Sequence, residues 1–262
     1  IDHFKERITT HYCDFKDRQN VDTMLAKNKF DIIFHLAAQS IVWASFIAPA
    51  DTFANNVLGT LNLLESVRTF CPETTVMIAG SSEQFGLVYP DECPVDEKTL
   101  LRPISPYAVS KCTCEYLAWQ YCKSYKLKTV LTRAFNHSGA RRPDHFAESS
   151  FAKQVIERKL GLTTSPIMVG NLEARRDYTH VRDMVRAYWL AVNHCIYGES
   201  YVIASGVSVS MQEVLDFCIK EAGIDCEVKQ DPNRLRPSDV PLLEGNAKKF
   251  RDTHKIIVIP VD

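Results

Sequence analysis

TVMIAGSSE, residues 75–83, is the stretch that decides the fold. A short continuous run of strand-forming residues that ends at a glycine predicts a buried β-strand over 75–79. The polar residues Ser81, Ser82 and Glu83 follow directly after this strand. In open sheets of parallel strands, ligands lie at the carboxyl ends of the strands. The stretch therefore predicts a sheet protein with a functional site immediately after residue 79.

The segments on both sides of this strand alternate between strand and helix. Strands are predicted at 8–13, 31–36 and 128–132, and helices at 21–27, 51–70 and 106–125. The last helix is expected to begin at Ser105-Pro106, because serine is a good N-cap and proline suits the first turn. Beyond Asn136, helices are predicted at 146–160, 181–195 and 210–222, and strands at 166–169 and 201–203. This alternation indicates an α/β fold with a parallel, doubly wound sheet.

Tyr107 and Lys111 stand four residues apart on the predicted helix and so share one face. A cation beside a phenol lowers the pKa of the phenol, which makes it a better base for an alcohol proton. Ser81 is expected to hydrogen-bond the same substrate oxygen, and Glu83 to supply a second acid/base. YxxxK alone is a common pattern, so its weight comes from this context.

Side chains that suit a ligand site fall at four predicted strand ends. They are Asp14, Ala37–Gln39, Ser81–Glu83 and Phe135–His137. For any one of these segments an ordinary turn is the better interpretation. Four successive strand ends with small or polar residues, together with YxxxK, favour one shared crevice.

The numbers of charged residues and of cysteines restrict the binding partners and the location that can be expected. The chain has 262 residues with 31 Lys+Arg against 32 Asp+Glu, so neither nucleic acid nor an anionic membrane is expected as a partner. Nine cysteines without a CxxC pair indicate reduced thiols and a cytoplasmic protein. No metal site is predicted, since Cys112 and Cys114 on a helix would point their sulfurs in different directions.

Six segments, in this order, resemble the extended short-chain dehydrogenase/reductases, and within them the GDP-mannose 4,6-dehydratases and the GDP-4-keto-6-deoxymannose reductases. They are HLAAQS (35–40), GSSEQFG (80–86), SPYAVSK (105–111), RAFNHSGARR (133–142), VGNLEARRDYTHVRD (169–183) and RLRPSDVPLL (234–243). The resemblance covers nearly the whole chain.

For a dehydratase, the resemblance implies that Tyr107, with Lys111 and Ser81, takes the proton of the sugar C4 hydroxyl. Glu83 then removes the C5 proton and assists loss of the C6 hydroxyl as water. A reductase has no C5 proton to remove, so Glu83 favours dehydration. Two features qualify this assignment. The loop that begins at Asp231 is more like that of the reductases, and Ser81 replaces a threonine typical of the dehydratases. An exposed carboxylate that caps a turn is the alternative for Glu83.

The resemblance also implies a set of binding residues. Cofactor contacts are expected from Asp14, Phe15, Leu36, Ala37, Ala38, Tyr107, Lys111 and His137, and substrate contacts from Gln39, Ser82, Asn136, Arg176, Arg236 and Asp239. Arg176 and Arg236 would pair with the diphosphate, since guanidinium groups match phosphate oxygens. Asp239 would accept hydrogen bonds from the nucleotide ribose. A surface salt bridge is the alternative for a single arginine such as Arg175.

The family's GxxGxxG turn, whose amides cradle a pyrophosphate at a helix N-terminus, does not occur in the sequence. We therefore expect the native protein to carry some tens of further N-terminal residues. The segment that distinguishes NAD from NADP would lie there. NADP is expected because the family's dehydratases mostly use it, and NAD is the alternative.

The resemblance implies a dinucleotide-binding domain at 1–139 plus 178–204 and a nucleotide-sugar-binding lobe at 140–177 plus 205–262. It also implies a homodimer or homotetramer, with the helices at 51–70 and 106–124 in a four-helix bundle. Three functions are left open by the sequence: a GDP-mannose 4,6-dehydratase, a GDP-4-keto-6-deoxymannose reductase, and a non-catalytic nucleotide-binding protein.

Overall fold

The computed structural model of the protein describes residues 6–235 and 240–254. The chain forms two compact units. Unit 1 comprises Ile1–Gly80, Ser105–Thr132 and Cys195–Ser200, and unit 2 comprises Ser81–Ile104, Arg133–His194 and Tyr201–Asp262. The two units are compact groups of residues, and their boundaries say nothing about what each unit binds. The predicted division into a cofactor lobe and a sugar lobe assigns binding roles, and it stays a prediction.

The helices and strands follow each other in the order expected for an α/β protein. The helices are α1 (Arg18–Lys27), α2 (Val42–Ile47), α3 (Pro49–Phe53), α4 (Gly59–Phe70), α5 (Pro106–Tyr125), α6 (Ala147–Lys159), α7 (Val181–His194), α8 (Met211–Ala222) and α9 (Lys248–His254). The strands are β1 (Ile32–His35), β2 (Thr75–Ala79), β3 (Lys128–Ala134), β4 (Asn136–Ser138), β5 (Ile167–Val169), β6 (Arg175–His180), β7 (Ser200–Ile203), β8 (Ser208–Ser210), β9 (Val228–Gln230) and β10 (Leu242–Leu243).

The main sheet has the strand order β1-β2-β3-β7. β2 pairs in parallel with β1 on one side and with β3 on the other. Gly80 continues the ladder beyond β2, since its N–H donates to the Thr132 carbonyl at 2.7 Å. The predicted parallel α/β sheet is therefore confirmed, and the carboxyl ends of β1, β2 and β3 lie at one edge.

The core of unit 1 lies between this sheet and the helices that precede and follow β2. Val21 and Leu25 of α1 and Leu64 and Val67 of α4 are buried together with Val76 of β2. The predicted amphipathic helix over 51–70 is confirmed in outline, because its apolar stripe faces this core. The helix consists of three successive segments, which are α3, the π-helical turn Ala54–Leu58 and α4.

The predicted strand at 8–13 is wrong. Residues 8–14 form no regular element, and Tyr12 is 99% exposed. A strand is stabilised by a hydrogen-bonded neighbour and by a buried face. Within residues 6–235 and 240–254, segment 8–13 pairs with no other strand. It buries only part of Cys13.

Unit 2 contains a sheet in which β10 and β4 flank β6 in parallel, while β8 pairs with β6 antiparallel. A buried carboxylate holds three segments together there. Asp177 on β6 accepts hydrogen bonds from the backbone N–H groups of Ser205, Gly206 and Gly245. Its neighbours on β6, Arg176 and Tyr178, are thereby placed on a rigid strand.

Among the described residues, no helix is both long and apolar enough to cross a membrane.

Candidate active site

Tyr107 and Lys111 lie together in the first two turns of α5. The helix begins as predicted, since the Ser105 hydroxyl accepts the N–H of Ala108 at 3.0 Å and Pro106 occupies the first turn. Both side chains are buried. Lys111 Nζ lies 5.8 Å from the centre of the Tyr107 ring and donates to the Ala79 carbonyl at 2.8 Å. The ammonium is therefore fixed beside the phenol at the carboxyl end of β2.

The burial of Lys111 has an electrostatic consequence. Desolvation lowers the pKa of the Lys111 ammonium from its ordinary value. A buried cation interacts strongly with a neighbouring charge, because little solvent screens it. A phenolate at Tyr107 would be stabilised by this ammonium, which suits Tyr107 to accept a proton.

Ser81 and Glu83 lie in unit 2, where Ser81 caps the short 3₁₀ helix Ser82–Gln84 that follows β2 and Glu83 lies on this helix. The Ser81 hydroxyl oxygen accepts the N–H of Glu83 at 3.2 Å, and the Ser81 N–H donates to Gln84 Oε1 at 2.8 Å. Ser82 and Gln84 are buried, whereas Glu83 is half-buried. Glu83 is therefore more accessible than its two neighbours on the turn.

The predicted cofactor residues of unit 1 lie at the carboxyl end of β1 and in the segment before α1. Leu36 and Ala37 are exposed and Ala38 is half-buried. Phe15 packs its ring 5.4 Å from that of His35, and its carbonyl accepts the Asn62 amide at 2.8 Å. Asp14 is exposed, and its carboxylate accepts the N–H of Lys16.

Gln39, predicted to contact substrate, uses its side chain within its own loop. Its Oε1 accepts the N–H of Ile41 at 2.6 Å and its Nε2 donates to the Ile41 carbonyl at 3.0 Å. The side chain of Asn56, on the π-helical turn, accepts the Gln39 N–H and donates to both the Gln39 carbonyl and the Ser110 hydroxyl. Asn56 therefore ties the end of β1 to α5.

Asn56 is not among the predicted site residues, although a polar amide on the buried stripe of an amphipathic helix is a signal that could have found it. The buried His35 is not among them either. His35 Nε2 lies 3.0 Å from the Thr60 hydroxyl, which itself donates to Cys114 Sγ. The bond joins β1 to α4, and the tautomer of His35 sets which of the two groups donates. Burial, with a smaller effect from Lys111, lowers the pKa of His35 to about 4.

Asn136 and His137 lie on β4 of unit 2, opposite Tyr178 and Thr179 of β6. His137 Nδ1 is 2.9 Å from the Phe135 carbonyl, so this nitrogen carries the proton. Burial lowers the pKa of His137, although the bond to Phe135 opposes that shift. The ring is neutral at neutral pH, with the Nε2 lone pair as an acceptor.

The two neighbouring arginines of β6 differ in environment. Arg176 is buried, and its Nη1 donates to the Val240 carbonyl at 2.6 Å. Arg175 Nη1 lies 3.1 Å from Glu213 Oε2 in an exposed ion pair, which is the alternative considered for it. Arg236 and Asp239, the other predicted substrate residues, lie outside the described residues.

Unit 1 has residues that fit parts of a dinucleotide. The end of β1 is open at Leu36 and Ala37, where a small side chain lets a ligand approach the backbone. The Lys111 ammonium has three donors, of which one is directed at Ala79, so it can also bond ribose hydroxyls. No holder for the pyrophosphate is assigned, because the sequence contains no GxxGxxG.

The family model for GDP-mannose 4,6 dehydratase matches residues 1–255 of this sequence. The chain belongs to the GDP-mannose 4,6 dehydratase family. The resemblance stated from the sequence motifs is therefore confirmed.

Both a known dehydratase and a known reductase are similar to this chain. The GDP-mannose 4,6-dehydratase of Sinorhizobium fredii is 32% identical over 94% of the chain and 75% of its own length. The GDP-6-deoxy-D-mannose reductase of Pseudomonas aeruginosa is 32% identical over 85% and 73%. A solved structure of RMD from Pseudomonas aeruginosa complexed with NADPH has a TM-score of 0.89 and 28% identity, and it covers 97% of this chain and 84% of its own.

These similarities confirm the expectation of an enzyme of the GDP-mannose 4,6 dehydratase family and, at the level of the family, of a nicotinamide cofactor. Identities near one third do not separate dehydration from reduction. That distinction depends on individual residues, above all Glu83.

Proposed function

We propose that the protein is a GDP-mannose 4,6-dehydratase that forms GDP-4-keto-6-deoxymannose. The observation that carries this proposal is Glu83, a half-buried carboxylate two residues after the Ser81 hydroxyl, on a turn whose other side chains are buried. Elimination of water needs a proton-transfer group besides the one that works on C4. A ketone reduction needs no such group.

The residues of the chain would divide the proton transfers as follows. Tyr107, beside the Lys111 ammonium, accepts the C4 hydroxyl proton, and the Ser81 hydroxyl donates a hydrogen bond to the same oxygen. The ketone at C4 acidifies the C5 proton, which Glu83 removes and then passes to the departing C6 hydroxyl. The chemistry that a bound NADP supplies is reversible uptake of one hydride.

The binding residues are proposed with the same roles that the motifs imply. Asp14, Phe15, Leu36, Ala37 and Ala38 would line the cofactor. His137 would offer its Nε2 lone pair near the nicotinamide. The remaining residues of the substrate set, listed together, are Gln39, Ser82, Asn136, Arg176, Arg236 and Asp239. For Gln39, the hydrogen bonds to Ile41 support a role in shaping the loop toward the substrate.

The second candidate is a GDP-4-keto-6-deoxymannose reductase. The similarity to the Pseudomonas aeruginosa reductase favours it. In that case Tyr107 would donate a proton to the C4 oxygen, and Glu83 would have no chemical step.

One assay tests the proposal. The purified protein is incubated with GDP-mannose and a catalytic amount of NADP, and the products are analysed for a 4-keto-6-deoxy sugar. Formation of that product supports dehydration. Failure to form it, with NADPH consumed on the keto sugar instead, would establish the reductase. Binding of neither ligand would establish the non-catalytic nucleotide-binding alternative.

We also propose a homo-oligomer. Val109, Tyr116 and Trp119 on α5 are exposed apolar or aromatic side chains, as a helix that pairs with a second copy would present. Light scattering on the purified protein tests this, and a monomer at micromolar concentration would exclude it.

A further inference from the structure

A polar cluster in unit 2 surrounds the end of β4. Its members are Asn136, Arg142, Glu148 and Tyr178. Tyr178 of β6 is the register partner of Asn136, and the side chain of Asn136 hydrogen-bonds the Tyr178 phenol. The phenol also lies 3.4 Å from Glu148 Oε2, which can accept its proton. The phenol is therefore the link between Asn136 and a carboxylate.

The carboxylate of this cluster is held in place by an arginine. Arg142 Nε lies 2.5 Å from Glu148 Oε1, and the side chains of the two residues are only 19% and 13% exposed. The Arg142 guanidinium also stacks 3.7 Å from the centre of the Phe146 ring and donates through Nη1 to the His137 carbonyl. Glu148 thus has a fixed position relative to β4.

The directions of these hydrogen bonds fix the orientation of an amide. Glu148 Oε2 and Met211 Sδ both lie within reach of the phenol, and neither a carboxylate nor a thioether can donate, so the single phenol proton is directed at one of these two acceptors. The Tyr178 oxygen must then accept from Asn136, which places the amide nitrogen of Asn136 toward Tyr178. Burial, reinforced by Glu148, raises the pKa of Tyr178, so the phenol keeps its proton at neutral pH. The amide carbonyl of Asn136 is left on the opposite side.

We propose that Tyr178, held by Glu148 and Arg142, is a positioning residue that orients the Asn136 amide so that its oxygen accepts a hydrogen bond from a hydroxyl of the sugar. The inference rests on the proposed function for the identity of the sugar. Without the phenol, the amide of Asn136 can rotate, and half of its orientations present N–H groups to a hydroxyl oxygen. A purely structural cluster would hold the segment 139–147 in place but would leave sugar binding unchanged once the protein is folded.

The test compares Tyr178→Phe and Glu148→Gln with the full-length wild type in the GDP-mannose assay. Misplacement of a substrate contact costs about 10- to 100-fold in kcat/KM. We expect a loss in that range for Tyr178→Phe and a smaller loss for Glu148→Gln, whose amide oxygen can still accept the phenol proton. Tyr197→Phe is the matched control, since that phenol lies 3.5 Å from Thr75 Oγ1 at the amino end of β2, and its kcat/KM should equal that of the wild type. Unchanged kcat/KM in a folded Tyr178→Phe protein would overturn the proposal.

A second measurement keeps the positioning role separate from the proposed function. The side-chain NH₂ signals of Asn136, assigned in ¹⁵N spectra by their loss in Asn136→Ser, should shift in Tyr178→Phe and stay in place in Tyr197→Phe. If the wild type shows no activity on GDP-sugars, the proposed function fails while these signals still decide the orientation. Signals of Asn136 that are identical in the wild type and Tyr178→Phe would overturn the positioning role.

Discussion

Lys111 Nζ donates to the Ala79 carbonyl at 2.8 Å, so the buried ammonium of α5 is attached to the last residue of β2. The same bond holds the charge beside Tyr107. One side chain thereby links the strand end that precedes Ser81 to the proposed catalytic base.

Substitution of Lys111 by Met should remove activity without unfolding the protein. Loss of the cation removes the charge proposed to stabilise a phenolate at Tyr107, and the rate should fall at least about 100-fold. The melting temperature should change little, because a desolvated ammonium is itself unfavourable. Steady-state kinetics and thermal unfolding provide the two measurements. Lys123→Met, at an exposed position near the end of the same helix, is the control and should keep full activity.

Glu83→Gln should stop the elimination of water but not the oxidation at C4. Glutamine preserves the shape of the turn and cannot take the C5 proton. In single turnover, cofactor reduction should still be seen, while exchange of the C5 proton with deuterated solvent and formation of the 6-deoxy product should be lost. Asp91→Asn, at an exposed carboxylate of the following loop, should behave as the wild type. Full dehydratase activity in Glu83→Gln would remove Glu83 from the mechanism.

His35 should make the stability of the protein depend on pH between about 6.5 and 4. Burial and the Lys111 charge lower the pKa of His35 to about 4 in the folded state, against 6.5 in the unfolded chain. As the pH falls through this window the unfolded state binds a proton that the folded state does not, so the free energy of unfolding decreases, in total by about 3 kcal/mol. The stabilisation is complete above pH 6.5.

Chemical denaturation at several pH values checks this expectation. His35→Gln keeps a side chain that can hydrogen-bond Thr60 and should show a shallower decrease of stability between pH 6.5 and 4. Equal slopes for the two proteins would mean that the folded state binds the proton at His35 as readily as the unfolded chain does.

Gly86→Ala should be strongly destabilising. Gly86 has a φ of +59°, and a Cβ there would lie 1.8 Å from the Arg102 carbonyl oxygen, which the backbone holds in place. We expect a loss of at least about 3 kcal/mol in the free energy of unfolding. Gly161 provides the matched control. It also has a positive φ, of +69°, but a Cβ there meets nothing within 4 Å. Its alanine variant should lose only about 1 kcal/mol.

The helices and strands that depend on hydrophobic periodicity and on local helix caps are predicted correctly from the sequence. The helix that carries Tyr107 and Lys111 begins at the Ser105 cap as expected, and the buried run 75–79 is a strand. The strand predicted at 8–13 is wrong because a strand needs a partner, which this segment does not have among the described residues and which no local pattern can guarantee. Similarly, the short strand β4 has no sequence signal of its own, since it is stabilised by pairing with β6.

Side-chain roles were harder to predict than elements. YxxxK has a fixed spacing on a helix and could be found by inspection. Asn56 and His35 act through partners that are distant in the sequence, Ser110 and Thr60, so the sequence gives no reason to associate them. Gln39 was found by its motif, but its bonds to Ile41 depend on the loop conformation.

The π-helical turn Ala54–Leu58 limits how the chain can be redesigned. Such a turn contains one residue more than an α-helical turn and offsets everything after it by about 100° of rotation. Deleting one residue from it to obtain a uniform helix would therefore turn Thr60 away from His35, even though every side chain downstream is unchanged. Replacing the π-helical turn with a uniform α-helix to gain stability would therefore break the contacts that join β1 to α5. The lengths of α3, the π-helical turn and α4 should be treated as fixed.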